Sequence, residues 1–314
     1  HIQHLYHRAG FGIQPSLLVS IEKLSREEIV DGLFNSSKKF EAFNIDLSDL
    51  PIDTSGLSKS KKQELRKLSR KKIFELDVLW MKRMSETEAV LREKITFFFH
   101  DHFAVRMNSP HANLHLNNIL REHALGNFGT MLMEVSKSPA MIAFLNNKQN
   151  RKSSPNENFA REVMELFTLG RDNGYTENDI HEAARAFTGW SFTNDGTFEF
   201  NTYFHDDGEK TFLGETGNFK GEDIIEILLK QKQTAQYLTE KLVDFLISRP
   251  ISDESIERFT TIFFENSYNL SILIKEILLS DEFDSEESIG CRIKSPTELI
   301  VGLTRQFKID FKDP

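Results

Sequence analysis

The sequence predicts a mainly α-helical protein, a large multi-helix domain with one small β-hairpin insertion. Two observations predict this fold class. Apolar residues recur at i, i+3, i+4 and i+7 along most of the chain, and many of these stretches begin at Ser, Thr or Pro. Alternation of apolar and polar residues is convincing only around 191–204. A chain of 314 residues can bury a large core, and we expect 1–314 to form a single domain.

Composition limits the classes of function. The net charge of -9 argues against a nucleic-acid binder, which normally carries a basic surface. The mean hydropathy of -0.40 and the lack of a long apolar run exclude a transmembrane segment. Cys291 is the sole cysteine, so an internal disulfide and a cysteine-based zinc site are both excluded.

In the first half of the chain, local signals predict a series of helices. Residues 1–12 form a short lead-in, and Pro15 opens a short helix. Ser25 and Glu28 have the spacing of a capping box. The segment 36–57 is rich in polar residues and lacks periodicity, which indicates a loop or linker. Further helices are predicted at 25–34, 59–84, 88–103, 112–124, 128–135 and 140–145.

The second half of the chain is also predicted to be helical, except for one stretch in which apolar and polar residues alternate as in a β-strand. Thr176 and Asp179 start a helix that runs to Phe187. The Asn-Asp-Gly sequence at 194–196 is a hairpin signal, and the β-hairpin and its following loop form an insertion at 191–213. Helices are then predicted at 222–230, 233–247, 253–265 and 270–280, and from the Ser-Pro pair at 295–296.

The helix at 155–170 carries the strongest candidate for chemistry. At about 100° per residue, Asn158, Glu162 and Glu165 form one polar stripe with Arg161 beside it. Such a face suits a metal, a sugar or a proton relay. It equally suits a solvated surface held by ion pairs between residues four apart. The same helical wheel places Thr168 on the polar arc, and on the apolar arc Phe159, Ala160, Val163, Met164, Leu166 and Phe167.

Two further groups of polar residues are candidates. His100 and His102 could bind one metal ion only if the helix before them ends near His100, because residues two apart on a helix point in nearly opposite directions. Otherwise one histidine caps the helix and the other packs beside Phe103. His205 and Asp206 lie on the loop that follows the hairpin, where a functional site and an ordinary turn are both consistent with the sequence.

Eight stretches of the chain form a recognisable series of motifs. They are His4–Gly12, Glu93–Phe103, Ser138–Met141, Asn156–Glu162, Glu165–Gly170, Ala184–Trp190, His205-Asp206 with Lys210, and Lys294–Pro296. In this order and at these spacings they resemble the bacterial family catalogued as domain of unknown function 1800. The resemblance covers nearly the whole chain. Two departures are a phenylalanine run at 97–99, where the family usually has a Trp, and the absence of most of the family's C-terminal portion.

The resemblance implies an exported protein, periplasmic or extracellular, often encoded beside a protein of the domain of unknown function 1501 family, which looks like the sulfatases. We therefore expect an enzyme that uses one divalent metal ion or an acid–base pair on a polar substrate, such as a carbohydrate or an ester. The expected catalytic residues are Arg161, Glu162, Glu165, His205 and Asp206. The expected substrate-binding residues are Asn156, Asn158, Trp190 and Lys210, and the expected metal ligands are His100, His102 and Glu162.

The alternative is a non-catalytic binding or assembly protein that partners the sulfatase-like neighbour. In that case the same polar residues form a structural network, in which Arg161 and Arg185 neutralise Glu157, Glu162 and Glu165. A buried network of this kind must be fully paired, because an unpaired buried charge costs several kcal/mol, roughly 3–5.

Overall fold

The fold was obtained as a computed structural model that describes residues 1–248 and 250–309. Most of these residues are helical, and two small antiparallel sheets interrupt the helices. The helices are α1 (Ile2–Arg8), α2 (Pro15–Ile21), α3 (Arg26–Ser36), α4 (Lys59–Glu86), α5 (Val90–His102), α6 (Pro110–His123), α7 (Phe128–Lys137), α8 (Pro139–Phe144), α9 (Asn158–Glu162), α10 (Glu177–Ala186), α11 (Gly221–Lys230), α12 (Lys232–Leu246), α13 (Asp253–Glu265), α14 (Leu270–Leu279), α15 (Asp281–Asp284) and α16 (Pro296–Phe307). A 3-10 turn (Asn147–Gln149) precedes α9, and a π-helical segment (Val163–Thr168) follows it directly.

The predicted fold class is confirmed, and local capping explains where many helices begin. Ser25 accepts a hydrogen bond from the Glu28 backbone and Glu28 bonds back, which is the predicted capping box. Thr176 and Ser295 form the same motif at α10 and α16. Residues 1–12 were predicted only as a short lead-in, and helix α1 lies within them. Its seven residues are too few for a clear periodic signal.

The predicted hairpin is present, and a second one was missed. Strands β1 (Trp190–Phe192) and β2 (Phe198–Phe200) pair antiparallel around the Asn-Asp-Gly turn. Strands β3 (Lys210–Phe212) and β4 (Glu215–Gly217) form another sheet. Its turn, Leu213-Gly214, has positive φ at both residues (47° and 83°). Leucine is rarely found at such a position, so the sequence carried no hairpin signal there.

The segment 36–57 is a loop that packs against the helices. Phe43, Leu47 and Leu50 are buried. The Asn118 side chain on α6 accepts from the Phe43 amide (2.7 Å) and donates to the Phe43 carbonyl (2.8 Å). Pairing both backbone groups of Phe43 holds the loop on α6.

Helix α5 lies in the centre of the fold and is buried on almost every side. Its charged residues are therefore paired inside the protein. Glu93, fully buried, accepts two hydrogen bonds from Arg121 (2.8 and 3.1 Å) and one each from Trp80 and Arg83 (2.8 Å). Those hydrogen bonds and positive charges outweigh burial, which acts to raise the pKa of Glu93, and they hold it below its ordinary value.

The main apolar core surrounds this helix and includes side chains from Leu5 to Phe283. Beside α5 it contains an aromatic cluster in which Phe99, Phe103 and Phe128 stack on one another. Over the described ranges, none of the helices has the length and apolar character that crossing a membrane requires.

Candidate functional site

The central helix departs from a regular α-helix at its polar stripe. After Glu162 the chain forms the π segment, in which the Leu169 amide bonds the Met164 carbonyl, five residues back (2.9 Å). The wider turn rotates the later residues. Leu166, predicted on the buried arc, is 47% exposed, and Thr168, predicted on the polar arc, is fully buried. These two predictions were wrong because they assumed 100° per residue throughout. Short π segments occur frequently at functional sites.

The arginine of the stripe is engaged by carboxylates of the protein itself. Arg161 binds Glu177 in bidentate fashion (3.0 and 2.7 Å) and reaches Glu157 and Glu165 at 3.4 Å. His181 lies 3.3 Å from the other oxygen of Glu157. The hydrogen bonds to Glu177 raise the pKa of Arg161 further. The pattern is that of an ion-paired surface between α9 and α10.

Glu162 differs from its neighbours on the stripe. In the part of the chain that the structure describes, its carboxylate has no hydrogen-bond or ion-pair partner. Burial raises the pKa of Glu162, the nearby Glu165 charge raises it further, and Arg161 opposes both. A carboxyl group with a raised pKa suits a general acid. Asn156 and Asn158 instead support the backbone: the Asn156 side chain accepts from the Asn158 amide (3.0 Å), and Asn158 donates to the Leu145 carbonyl (3.1 Å).

The loop after the first hairpin is held by a second ion-paired group. Arg185 on α10 binds both oxygens of Asp206 (2.8 and 3.2 Å) and both oxygens of Glu182 (3.0 and 2.8 Å). Lys210 is buried and donates to the Asp206 and Gly208 carbonyls (2.6 and 2.9 Å). The Arg185 contacts bind the loop to α10, and the Lys210 ammonium group is held by backbone carbonyls of the same loop.

His205 and Trp190 are also buried. The His205 Nδ1 atom lies 2.9 Å from the Thr188 carbonyl, which it contacts as a donor, and the ring packs edge-on against Phe200. The Trp190 indole packs among phenylalanines, with Phe187 at 5.1 Å and Phe198 at 5.3 Å between ring centroids. In the part of the chain that the structure describes, the buried His205 Nε2 and Trp190 Nε1 atoms have no hydrogen-bond partner.

The two histidines of α5 point in different directions. The helix continues through His102, so the ending near His100 that a shared ion requires is not formed. The His100 ring packs edge-on against Trp80 (5.0 Å), whereas His102 is buried beside Phe103 and Phe167. Across residues 1–248 and 250–309, no three His, Cys, Asp or Glu side chains are grouped so that they could hold a metal ion.

The donor atoms of His102 are themselves engaged. Nε2 lies 3.3 Å from the Phe167 carbonyl, and Nδ1 lies 3.4 Å from the Lys241 ammonium group, which would repel a cation there. His100, His102 and Glu162 therefore do not fit a common metal ion in this geometry. The divalent ion remains a prediction.

The three predicted segments are linked in a series of contacts. His102 contacts the π segment, α9 pairs with α10, and Arg185 of α10 holds Asp206. Of the predicted site residues, Trp190 lines a small cavity of about 130 Å³, and His102 lines a larger one.

That cavity, which we call the α5–α12 cleft, has a volume of about 610 Å³. Burial, and to a lesser extent the charge of Lys241, lower the pKa of His102 to about 3, so its ring is neutral at pH 7. With Nε2–H donated to the Phe167 carbonyl, Nδ1 is free to accept a hydrogen bond from Lys241. The polar residues that line the cleft are Asp101, His102, Tyr237, Glu240, Lys241, Asp244, Ser248 and Arg292.

A second cavity of about 260 Å³, the N-terminal cavity, lies beside the cleft and shares Arg292 with it. The Arg292 guanidinium packs on the Phe245 ring (4.5 Å) and donates to the Phe245 carbonyl. The remaining polar lining comes from the N-terminal segment, the segment before α16 and α16 itself, namely His1, Gln3, His4, His7, Arg8, Lys294 and Glu298.

Sequence reasoning did not select most of these residues. Arg8 and Lys294 belong to stretches that carried the family resemblance. A basic residue in each of these two distant motifs was therefore a sequence signal that could have made both residues candidates. Lys241 and Asp244 lie on an amphipathic helix with no distinguishing pattern. Their proximity to His102 depends on how α12 packs against α5.

A family model described as "Protein of unknown function (DUF1800)" matches residues 4–313. No curated protein and no solved structure gives a significant match. The family model covers nearly the whole chain, in agreement with the resemblance of its motifs. The chain therefore belongs to the DUF1800 family.

Proposed function

We propose that this protein is an enzyme that performs acid–base chemistry on a polar substrate, a carbohydrate or an ester, in the α5–α12 cleft. The observation that carries the proposal is the contact between Lys241 and His102 in a cleft that Asp101, Glu240 and Asp244 also line. A cation and several carboxylates around one cavity can stabilise a developing negative charge and transfer a proton.

The roles follow from the protonation states. His102 is neutral and buried, so it positions Lys241 and does not itself transfer a proton at pH 7. Within the described chain, Lys241 has no carboxylate at ion-pair distance, and its other close neighbour is the Tyr237 ring (4.9 Å). Its remaining N–H groups can therefore donate to a substrate oxygen. Asp101 and Asp244 are the candidates for the general acid or base.

The test is turnover of a panel of chromogenic esters and glycosides by the wild-type chain and by Lys241→Met. We expect Lys241→Met to lower kcat/KM by about 100-fold or more, since it removes a donor to the developing charge. Lys67→Met, an exposed lysine on α4, is the matched control and should leave kcat/KM unchanged. No turnover by the wild-type chain, or turnover unaffected by Lys241→Met, contradicts the proposal.

Two further parts of the proposal rest on the family resemblance and on the sequence. We propose that the protein acts outside the cytoplasm, in the periplasm or beyond the cell. We also retain one divalent ion at His100, His102 or Glu162 as a hypothesis. Metal analysis of the purified protein tests it: a stoichiometric metal that His100→Ala or Glu162→Ala removes, with the fold intact, supports the hypothesis.

A second candidate function is a non-catalytic assembly protein that binds a sulfatase-like partner of the domain of unknown function 1501 family. The pairing of Arg161 and Arg185 with carboxylates of the protein itself favours it, since these residues then serve the structure. Co-purification of the two proteins, together with a cleft in which Lys241→Met changes no activity, would favour this candidate over the enzyme.

A further inference from the structure

The N-terminal cavity contains a buried arginine that forms no ion pair with a carboxylate of the described residues. Arg8 is 4% exposed. Its guanidinium donates to Ser248 Oγ (3.0 Å), the Ile247 carbonyl (2.6 Å) and Cys291 Sγ (3.2 Å). Among the described residues no carboxylate lies at ion-pair distance from Arg8. Burial lowers the pKa of Arg8, and Glu298 is a carboxylate whose charge acts against that shift. A buried charge without an opposite charge is strongly unfavourable.

The surrounding residues increase the positive charge and do not balance it. Arg292 and Lys294 line the cavity, and Lys94 lies behind it. Glu298, the one carboxylate among the described residues that line the cavity, already accepts from Lys94 (2.5 Å) and Arg292 (3.5 Å). Lys294 forms no ion pair with any described residue. Four cations therefore share a single carboxylate, in a chain whose net charge is -9.

His7 adds a hydrogen-bond donor at the wall of this cavity. Its Nδ1 atom is buried with no hydrogen-bond partner among the described residues, and its Nε2 atom lies 3.5 Å from the Gln306 side-chain nitrogen. When Gln306 donates to Nε2, Nδ1 carries the proton and is free to donate to a ligand. Burial and the charges of Lys294 and Lys94 lower the pKa of His7 to about 4, so the ring is neutral at pH 7.

We propose that the N-terminal cavity binds a phosphate or sulfate group through Arg8, Arg292, Lys294 and the Nδ1–H of His7. A doubly charged oxyanion suits three uncompensated positive charges better than a single carboxylate does, and its several oxygens can accept from donors on different sides. Arg292 also lines the α5–α12 cleft. One ligand can therefore place its anionic group in the N-terminal cavity and its reacting group beside Lys241. This joint binding rests on the proposed function. The anion site itself does not depend on that function.

The test is calorimetric titration of the wild-type chain with inorganic phosphate, with sulfate and with acetate at equal ionic strength. We expect saturable binding of phosphate, of sulfate or of both, and weaker binding of acetate. The preferred dianion distinguishes a phosphate site from a sulfate site. Lys294→Ala should weaken the affinity about tenfold, since it removes a charge-assisted donor. It should fold normally, because Lys294 is exposed.

Lys67→Ala, which removes the same charge from an exposed site on α4, is the control and should keep the wild-type affinity. Absence of saturable binding, acetate bound as tightly as the dianions, or equal losses in Lys294→Ala and Lys67→Ala would overturn the proposal. Binding of inorganic anions requires no turnover. A failure here is therefore distinguishable from a failure of the acid–base chemistry, which Lys241→Met tests.

Discussion

Lys94 Nζ lies 2.5 Å from Glu298 Oε1, and the two side chains are only 2% and 5% exposed. This ion pair joins α5 to α16, over a separation of 204 residues in the sequence. Burial lowers the pKa of Lys94 to about 8. Burial alone would raise the pKa of Glu298, but the Lys94 charge and hydrogen bond hold it at about 2. Each charge therefore depends on the other.

We expect Glu298→Gln to lower the free energy of unfolding by about 3 kcal/mol, because it leaves Lys94 buried beside a neutral group. Urea denaturation measures the loss. The exposed Lys61–Glu64 pair on α4 provides the comparison. Glu64→Gln should cost at most about 0.5 kcal/mol. Similar losses in the two variants would show that the buried pair stabilises the protein no more than the exposed pair does.

Acid should destabilise the protein through His102. The pKa of His102 is about 3 in the folded chain and 6.5 in the unfolded chain. Between these values the unfolded state binds a proton that the folded state does not, so stability is full above pH 6.5 and falls as the pH drops toward 3. From pH 7 to pH 5 this contributes a loss of about 2 kcal/mol.

His102→Phe should reduce that loss, measured as the free energy of unfolding at pH 7 and pH 5. An aromatic ring is compatible with the neighbouring Phe103 and Phe128. His181→Ala, at an exposed position, should keep the wild-type pH dependence. If the free energy of unfolding of His102→Phe fell between pH 7 and pH 5 as much as that of the wild type, the acid sensitivity would arise from another group.

A glycine before the first hairpin should tolerate no side chain. Gly189 has φ of +82°, and a Cβ there would lie 2.5 Å from the Asn201 backbone oxygen. Gly214 has nearly the same φ, +83°, with no atom within 4 Å of its Cβ position. We expect Gly189→Ala to cost about 2 kcal/mol more than Gly214→Ala in thermal or urea unfolding. Equal costs would mean that the φ angle alone matters.

The two arginine networks should differ in their contribution to stability. The Arg185 and Asp206 side chains are 21% and 19% exposed, whereas Arg161 pairs most closely with Glu177, which is 77% exposed. We expect Arg161→Ala to cost about 1 kcal/mol and Arg185→Ala about 3 kcal/mol. Unfolding of the chain by Arg161→Ala would contradict this order and would support a structural role for the central helix.

Local sequence determined most of the secondary structure of this protein. The predicted starts at Ser25, Thr176 and Ser295 agree with the structure because a capping bond joins residues three apart. The Asn-Asp-Gly turn likewise specified the first hairpin, because its conformation depends on residues that are adjacent in the sequence. The π segment was not predictable, since the regular helical wheel misplaced Leu166 and Thr168 and no residue type marks a π turn in advance.

The sequence by itself thus determined the fold class, the order of the helices and the family, and it placed His102 among the candidate residues. Tertiary structure alone decided which charges face a cavity. Arg8 meets Ser248 across 240 residues, and Lys241 meets His102 across 139. Such contacts depend on how whole helices pack, and the periodicity of a single helix records which face is buried but not which helix covers it.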